Sequence, residues 1–387
     1  MRRLLALVSA LVWVDTMLYA ALTPLLPRFA HTLGLSKTQA GVLVAGYAAG
    51  ALVGGLPGGI AAGRFGPRRT VLAGLTLMGL ASVGFAFAGE FWTLFGARFA
   101  QGLASGFTWA GAFAWLLAAA PRDRLGQLVG TALGAATFGS LFGPVIGAIA
   151  ALAGRGVTFS AVAALAVALG VWTLRLEPVA TERPAGAALV RALRTPRFLA
   201  GMAVMALAAF LFGVLSVLGP LHLAAAGWGA AGIGAVWLVG AAFEGALAPF
   251  VGRATDRRGL ALPLRLSLAP ALVLSLGLAV GPRPLAYAPL IVLAVSAWGP
   301  LFTFAFVLLA GGAEEAGLAQ GMAFGLMNAA WASGALIGPA AAGAIAAVTG
   351  DTVPFLLCAA LCAVTLVVSL RHHRAAVLVD RLPRDAA

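Results

Sequence analysis

Three charged side chains stand inside long apolar stretches of this sequence: Asp15, Arg98 and Glu244. A charged group at membrane depth is costly, so such a residue indicates a functional site by default. Asp15 follows Arg3 by about 18 Å along a helix that rises about 1.5 Å per residue, which places it near the middle of a bilayer. A carboxyl group there would suit binding and release of a proton, or pairing with a cation. The alternative is a neutral carboxyl group that is hydrogen-bonded to a neighbouring helix.

Arg98 begins a polar stripe on one predicted helix face. Arg98, Gln101, Ser105 and Thr108 follow one another with the spacing i, i+3, i+7 and i+10. In lipid this face must turn towards the protein interior, where we predict that Gln101 and Ser105 contact a substrate. Alternatively, Arg98 extends its head group to the outer interface, since it lies only a turn or two into its span.

Glu244 shares a predicted helix face with Trp237. A carboxylate beside aromatic rings is a reasonable site for a lipophilic cation. A structural ion pair with Arg253 or Arg257 is the alternative for Glu244. Further predicted substrate-binding residues are Tyr19, Asn328 and Trp331, although a lone Tyr or Trp is often a packing residue or an interfacial anchor.

The elements that must position these residues are membrane-spanning helices. Of 387 residues, 62% are hydrophobic and 10% are charged, whereas soluble domains carry about a quarter charged residues. About 20 apolar residues cross a bilayer core of about 30 Å as a helix. Such runs predict twelve spans at 4–27, 38–62, 70–89, 92–119, 127–152, 156–175, 197–220, 228–251, 260–280, 285–310, 317–348 and 352–370. The first run is too long for a signal peptide and is predicted to be an uncleaved helix.

The basic residues are distributed unevenly between the predicted loops. With the N-terminus inside, 20 of the 25 Lys and Arg residues fall in cytoplasmic segments. Four fall on the other side: Arg28, Lys37, Arg155 and Arg283. By the positive-inside rule, both termini are therefore predicted to be cytoplasmic. The net charge of +13 is then a basic rim beside anionic lipid headgroups, and it gives no support to nucleic-acid binding.

The sequence also divides into two similar halves. Residues 252–259 (GRATDRRG) repeat the pattern of 59–66 (GIAAGRFG), and 334–343 (GALIGPAAAG) repeats 139–147 (GSLFGPVIG) at nearly the same separation. Repeated motifs at one separation indicate a duplicated unit. We predict an all-α integral membrane fold of two pseudo-symmetric six-helix bundles. The bundles are 1–175 and 197–370, with a cytoplasmic linker at 176–196 and a cytoplasmic tail at 371–387.

Four motifs in chain order carry a family resemblance. They are 15–18 (DTML) with 24–27 (PLLP), 59–69 (GIAAGRFGPRR), 98–106 (RFAQGLASG) and 139–147 (GSLFGPVIG). Together they resemble the major facilitator superfamily and, within it, the twelve-span drug:proton antiporters. The first loop departs from the family pattern, with Gly63 in place of the usual Asp and Pro67 in place of Arg, whereas the second copy keeps Asp256 and Arg257.

The resemblance implies the major facilitator fold and alternating access between the bundles. Inward proton flow would drive export of an amphipathic or cationic small molecule, with Asp15 and Glu244 as titrating acids and Arg98 in proton coupling. Pro144 is predicted to kink the fifth span. The residues implied in conformational change are Gly59, Arg64, Gly66, Arg68, Gly139, Gly143, Pro144, Gly147, Gly252, Asp256, Arg257, Gly338 and Pro339.

The remaining expectations are mostly absences. No HExxH, P-loop or G-x-S-x-G motif is present, so we predict no enzyme activity, no metal and no cofactor. Cys358 and Cys362 are interpreted as small buried hydrophobes. The expected partners are a small-molecule substrate, protons and the lipid bilayer of a bacterial inner membrane, with a monomeric protein. A proton-coupled importer of a polar nutrient and a non-transporting membrane scaffold or sensor stay open as alternatives.

Overall fold

The fold is described from a computed structural model, which covers residues 1–121, 124–179, 186–281, 283–318 and 320–380. All regular secondary structure in these ranges is helical, as lipid requires of a chain that must satisfy its own backbone hydrogen bonds. The helices are α1 (Arg2–Ala20), α2 (Leu26–Thr32), α3 (Lys37–Phe65), α4 (Pro67–Phe87), α5 (Phe91–Ala119), α6 (Leu125–Ala153), α7 (Arg155–Leu174), α8 (Gly186–Ala192), α9 (Pro196–Ala225), α10 (Ala230–Arg258), α11 (Ala261–Ala279), α12 (Pro284–Trp298), α13 (Pro300–Glu315), α14 (Gln320–Thr349) and α15 (Thr352–Asp380).

Twelve segments among the described residues are long and apolar enough to cross a membrane. Helices α12 and α13 together form the tenth of these, Leu285–Glu315, and the short helices α2 and α8 are not among them. The predicted fold class, all-α with twelve transmembrane helices, is confirmed. The last helix continues past the predicted end at 370, and the linker at 176–196 includes α8.

Prolines interrupt two spans that the sequence pattern predicts as single helices. In the first span, α1 ends at Ala20 and the chain turns before α2 begins at Leu26. Pro24 has no N–H, so the Ala20 carbonyl accepts from Thr23 N instead, at 3.3 Å. In the tenth span, Pro300 has the same effect, and the helix is divided at Gly299.

Helix packing repeats between the two halves. Helix α1 packs on α6, α3 on α5 and α4 on α7. In the second half, α9 packs on α14, α10 on α12 and α11 on α15. The halves meet where α3 contacts α14 and where α6 contacts α10. Three small residues, Ala48, Ala209 and Ala335, form a buried cluster where α3, α9 and α14 come together.

The glycine motif of α6 allows close packing on α1. A Cβ atom at Gly139 would lie 2.2 Å from the carbonyl oxygen of Trp13, so only glycine fits there. Gly143 likewise lies against Ala20 of α1, and Gly147 lies against Ala21 and Pro24 in the turn that follows α1. Pro144 lies within α6, which continues to Ala153.

The second copy of this motif packs on α9 in the same way. Gly334 faces the carbonyl of Ala206, and Gly338 faces the carbonyl of Phe210. The carbonyl of the following Pro339 faces Gly41 of α3, in the other half. The motif therefore brings α14 close to its own bundle and to the opposite bundle at once.

Candidate functional site

The Asp15 carboxylate lies between α1, α3 and α5 and accepts three side-chain hydrogen bonds. Tyr47 Oη donates to Oδ1 at 2.9 Å, while Ser105 Oγ and Trp109 Nε1 donate to Oδ2 at 2.9 Å and 2.6 Å. Asp15 is only 3% exposed. A charged carboxylate without partners would cost about 2.5 kcal/mol or more at this depth. The three donors are what make a charged Asp15 tolerable here.

The same partners also suit a protonated carboxyl group. The indole of Trp109 can only donate, but the hydroxyl of Tyr47 can donate or accept. A proton on Oδ1 of Asp15 would donate to Tyr47 Oη, and the hydroxyl proton would turn to the backbone carbonyl of Asp15, 3.3 Å away. The site can therefore take up and release a proton by rotation of one hydroxyl group, without displacement of heavy atoms.

Arg98 binds the broken end of α1. Its Nη1 donates to the carbonyl of Leu18 at 3.0 Å and to Gln101 Oε1 at 3.1 Å, and Nη2 donates to the carbonyl of Tyr19 at 3.1 Å. These carbonyls lie in the last turn of α1, where no following turn supplies N–H donors. Arg98 thus caps α1. With 1% of its surface exposed, Arg98 does not reach the outer interface.

Tyr47 connects the acid to the arginine. Its ring centroid lies 4.8 Å from the guanidinium carbon of Arg98, and its hydroxyl donates to Asp15. A guanidinium over an aromatic face is attracted to the ring electrons. One side chain therefore contacts both charged groups of the network.

Gln101 and Ser105 belong to this network and have protein partners. Gln101 accepts from Arg98 and donates to Ser82 Oγ at 3.4 Å, and Ser105 donates to Asp15. Both residues are buried. In this conformation the polar group of Gln101 binds Arg98 and that of Ser105 binds Asp15. Contact of either residue with a substrate would therefore require a rearrangement.

Aromatic rings from both halves meet beside the network. Tyr19 of α1 contacts Trp331 of α14 edge-on, with ring centroids 5.1 Å apart, and lies 5.3 Å from Tyr47. Farther along α14, Phe324 stacks on Phe113 of α5, with ring centroids 5.0 Å apart. The structure therefore places the predicted residues Tyr19 and Trp331 together, at the contact between the halves.

Asn328 lies on α14 between Phe324 and Trp331, about one turn from each. It is half-buried, and its amide has no hydrogen-bond partner within the part of the chain that the structure describes. An amide with free donors and a free acceptor between two rings that contact the other half is suited to bind a ligand. Asn328, Tyr19 and Trp331 thus form a mixed polar and aromatic surface.

Glu244 and Trp237 make their contacts within the C-terminal half. Trp237 is 9% exposed and packs against Gly219 of α9. The carboxyl group of Glu244 lies against Gly299, where a Cβ atom would be 2.2 Å from Glu244 Cδ. Glu244 therefore lies at the break between α12 and α13, apart from the partners of Asp15.

No ion pair of Glu244 is found among the described residues, so the structural pairing with Arg253 or Arg257 is not formed. The guanidinium of Arg253 lies over the ring of Phe250 instead, 4.7 Å from its centroid. Glu244 thus has no hydrogen-bond or ion-pair partner among the described residues.

The residues of the first loop motif make local contacts. Arg64 lies over the ring of Phe65 at 5.6 Å, and Arg68 Nη2 donates to the carbonyl of Leu174 at 2.7 Å. Gly66 has a φ of 86°, which an L-residue rarely adopts and which forms the turn into α4. The motif therefore ties α4 to the end of α7 within one half.

The second loop motif repeats the turn. Gly259 has a φ of 70° before α11, and Arg257 is exposed. Gly59 and Gly252 both lie beside open space. The side chain of Asp256 lies outside the described residues. The conformational role of these residues stays a prediction.

An ion pair joins the halves at the opposite end of the bundle. Lys37 Nζ, at the start of α3, lies 2.5 Å from Asp351 Oδ1, just before α15. His222 Nδ1 approaches the other oxygen of Asp351 at 3.8 Å, and its ring stacks on Tyr287 with centroids 4.0 Å apart. Together with the contact of Gly41 and Pro339, this pair closes the α3–α14 interface at that end.

Sequence reasoning missed Tyr47 and Trp109 as site residues. Trp109 had a usable signal, because it follows Arg98 by about three helical turns and so shares the polar stripe. Tyr47 had none, since it stands alone among small apolar residues of α3. Its role depends on which helix α3 packs against.

No cluster of three or more His, Cys, Asp or Glu residues in the described ranges is placed to hold a metal ion. Cys358 and Cys362 are both buried and not in a disulfide.

Comparison with known proteins agrees with this architecture. Residues 6–324 match the Major Facilitator Superfamily. The Chloramphenicol resistance protein of Streptomyces lividans is 31% identical over 382 residues, which cover 94% of each chain. The Probable vesicular acetylcholine transporter-B of Danio rerio is 32% identical over 192 residues, which are 47% of this chain and 39% of that protein. The family resemblance is confirmed: the chain belongs to the Major Facilitator Superfamily, and it is a multi-pass membrane transporter.

Proposed function

We propose that this transporter exports amphipathic or cationic small molecules in exchange for protons, by alternating access between its halves. The observation that carries the proposal is the Asp15 site. Its carboxylate is buried, and its hydroxyl partner serves both protonation states. One carboxylate that binds either a proton or a cationic substrate, but not both, provides the simplest form of exchange.

The aromatic contact between the halves supports the choice of substrate class. Tyr19 and Trp331 present rings beside the network, and aromatic faces attract cations and apolar groups. The half-buried amide of Asn328 adds one adaptable polar contact. This surface favours a molecule with apolar bulk and a single polar or cationic group over a sugar or an organic anion.

The names of the relatives narrow the panel of substrates to test. The Streptomyces lividans relative is a chloramphenicol resistance protein, and export of an antibiotic is one route to resistance. The Danio rerio relative is named for acetylcholine, a quaternary ammonium compound. Chloramphenicol and a set of quaternary ammonium compounds are therefore the first candidates.

The proposed location is a bacterial inner membrane, with both termini in the cytoplasm. The support is the excess of Lys and Arg in loops on the side of the termini. Protons would then enter from the side of Lys37 and Asp351. Glu244, which lies in the other half and has no ion-pair partner among the described residues, is the second candidate acid.

Purified protein in liposomes that contain a pH-sensitive dye tests the proposal. A proton gradient is imposed, and chloramphenicol or a quaternary ammonium compound is added. We expect substrate-triggered proton movement in the wild type and none in Asp15→Asn, because the amide cannot carry the proton. Glu315→Gln is the matched control, since this half-exposed acid pairs with Arg197 at the protein surface.

Each outcome of this experiment supports a different acid or a different function. Proton movement that survives in Asp15→Asn but is lost in Glu244→Gln would transfer the role of acid to Glu244. No response of the wild type to any compound, with folding verified, would reject export. Proton-driven uptake of a labelled polar solute would then support an importer, and no flux at all would support a scaffold or sensor.

A further inference from the structure

A cavity with two arginines opens at one end of the N-terminal half, outside the transport site. Its volume is about 490 Å³. It lies among α2, the ends of α4 and α6, and the start of α7. Arg28 and Arg155 supply its charge, and residues such as Leu25, Phe29 and Phe87 supply apolar walls.

Arg155 is held in place by the end of α4. Its Nε donates to the carbonyl of Ala86 at 3.1 Å, and its Nη2 donates to the carbonyl of Ala88. The guanidinium also lies over the rings of Phe29 and Phe85, at 5.1 Å and 6.0 Å from their centroids. These contacts fix the guanidinium at the cavity wall and leave part of its five N–H donors unused.

Arg28 approaches from α2 and has a single fixed contact. Its Nη1 donates to the carbonyl of Ala151 at 2.8 Å, and its side chain is otherwise exposed. Neither arginine has an acidic partner among the described residues. Glu90, which directly follows the cavity residue Gly89, forms no ion pair with either arginine among the described residues.

Two positive charges in one cavity repel each other, and an anion between them would remove that repulsion. Their clustering is unusual on this side of the protein, where the loops hold four basic residues. Two of the four line this cavity, and a third, Lys37, is paired with Asp351. The fourth, Arg283, is exposed outside it.

The position of the cavity indicates where the anion comes from. It lies at the ends of membrane-spanning helices, which is the level of the lipid headgroups. Phe87, Leu152 and Val157 around it are 71%, 77% and 71% exposed, so this perimeter faces acyl chains. Trp92, also 71% exposed, lies at the same level, where tryptophan is enriched in membrane proteins.

We infer that this cavity binds an anionic phospholipid, whose phosphate lies between Arg28 and Arg155 and whose acyl chain extends along Phe87. Guanidinium groups bind phosphate oxygens in pairs of parallel hydrogen bonds, and this geometry suits both arginines. The inference needs only a folded protein and does not depend on the direction or substrate of transport.

Native mass spectrometry of the purified full-length protein tests this inference, with phosphatidylglycerol and phosphatidylcholine as probes. We expect phosphatidylglycerol to bind about tenfold more tightly than phosphatidylcholine, and Arg28→Gln to remove most of that preference. Arg283→Gln is the matched control, because it removes one charge from the same side but outside the cavity. Equal binding of the two lipids, or an equal loss in Arg283→Gln, would overturn the inference.

A second variant separates the cavity from its charge. This variant is not Arg155→Gln, because loss of the Arg155 side chain also removes a cap from α4 and could unfold the protein. Gly89 lines the cavity and has no atom within 4 Å of the position of a Cβ, so Gly89→Leu adds an apolar side chain at the cavity wall from a position that is open at the Cβ. We expect Gly89→Leu to reduce phosphatidylglycerol binding about tenfold with both arginines retained. Unchanged binding in this variant would contradict a lipid in the cavity.

Soluble glycerol phosphate distinguishes a lipid from a free anion. If the acyl chain contributes, glycerol phosphate should displace phosphatidylglycerol only at about a hundredfold excess or more. Displacement at equal concentration would show a site for small phosphate compounds, and the assignment to a lipid would be wrong.

Discussion

The two halves of this transporter share a fold but not their chemistry. They can be aligned on common contacts: Gly102 faces the Tyr47 carbonyl between α5 and α3, and Gly240 faces Val295 between α10 and α12. This alignment places apolar residues of the C-terminal half at the positions of the charged network. The pairs are Asp15 with Ala208, Tyr47 with Gly240, Arg98 with Ile291, Ser105 with Trp298 and Trp109 with Phe302.

This difference shows that the duplicated fold needs no polar core of its own. Where the N-terminal half holds a carboxylate and a guanidinium, the C-terminal half has a cluster of rings, with Phe212 6.0 Å from Trp298 and 5.6 Å from Phe302. Asp15, Arg98 and Trp298 are buried, whereas Phe212 and Phe302 are partly buried. The charged network is thus an addition to one bundle, which supports the role in proton exchange that we propose.

The largest expected effect is at Arg98. Arg98→Met removes the cap of α1 and leaves the carbonyls of Leu18 and Tyr19 without their donor, beside a buried acid. Breaking a buried charged network by removal of one partner costs about 3–5 kcal/mol. Thermal unfolding in detergent should show this loss. Ile291→Met, at the equivalent position of the other half, should cost less than about 1.5 kcal/mol. Equal losses would mean that Arg98 acts only by filling space.

The next largest effect is expected where a glycine lies against a neighbouring helix, and it should differ between the two halves. A Cβ at Gly102 would lie 1.8 Å from the Tyr47 carbonyl, which is backbone and cannot move aside easily. At Gly240 it would meet the Val295 side chain at 3.1 Å, which can adjust. We expect Gly102→Ala to cost about 1–3 kcal/mol and Gly240→Ala clearly less. Chemical denaturation in detergent measures both, and a reversed order would contradict the closer packing of the N-terminal half.

The interfaces between the halves are also unequal. A Cβ at Gly41 would lie 2.2 Å from the Pro339 carbonyl across the α3–α14 interface, whereas one at Gly234 would lie 3.1 Å from the Pro144 carbonyl across the α6–α10 interface. Gly41→Ala should therefore separate the ends of α3 and α14, by destabilising their contact by about 1–2 kcal/mol. Distances between spin labels on these helices measure the effect. Gly234→Ala is the control, and we expect little change from it.

The smallest expected effect is that of the ion pair across the halves. Lys37 and Asp351 are 39% and 26% exposed, so Asp351→Asn should favour separation of the halves at this end by no more than about 1 kcal/mol. High salt should reduce the difference from wild type. Glu315→Gln breaks a pair within one half, between α9 and α13. If it opens the same end as strongly, the Lys37–Asp351 pair has no special role.

Much of this architecture could be predicted from the sequence, because lipid imposes a simple rule on helix length and apolarity. The twelve spans, the inward face of Arg98 and Gln101, and the exceptional position of Asp15 all follow from that rule. The partners of Asp15 do not. Tyr47 reaches it only because small residues let α3 approach α5, with Gly102 against the Tyr47 backbone.

The sequence contains the prolines at which the helices break, but the breaks themselves were not predicted. Pro24, Pro27 and Pro300 all lack an N–H, yet proline is tolerated in many membrane helices, so its presence alone does not fix a break. The packing around the first break decides the outcome, since Arg98 supplies the donors that the helix loses. Likewise, the sequence suggests a shared face for Glu244 and Trp237 but not which helix that face contacts.

The break in the first span also has a mechanical consequence. Helix α1 packs on α6 within its own half, whereas α2 contacts α9 of the other half. Helix α2 also contacts its own half, through Arg28 with Ala151 and Phe29 with Phe85, so the turn at residues 21–25 leads from a helix packed in one bundle to a helix that contacts both. The carbonyls that Arg98 binds lie directly before this turn, and Tyr47 lies between Arg98 and the acid. We therefore expect that rotation of the halves acts on the hydrogen bonds of Arg98 through this turn, and that protonation of Asp15 changes the torque that this short segment has to resist.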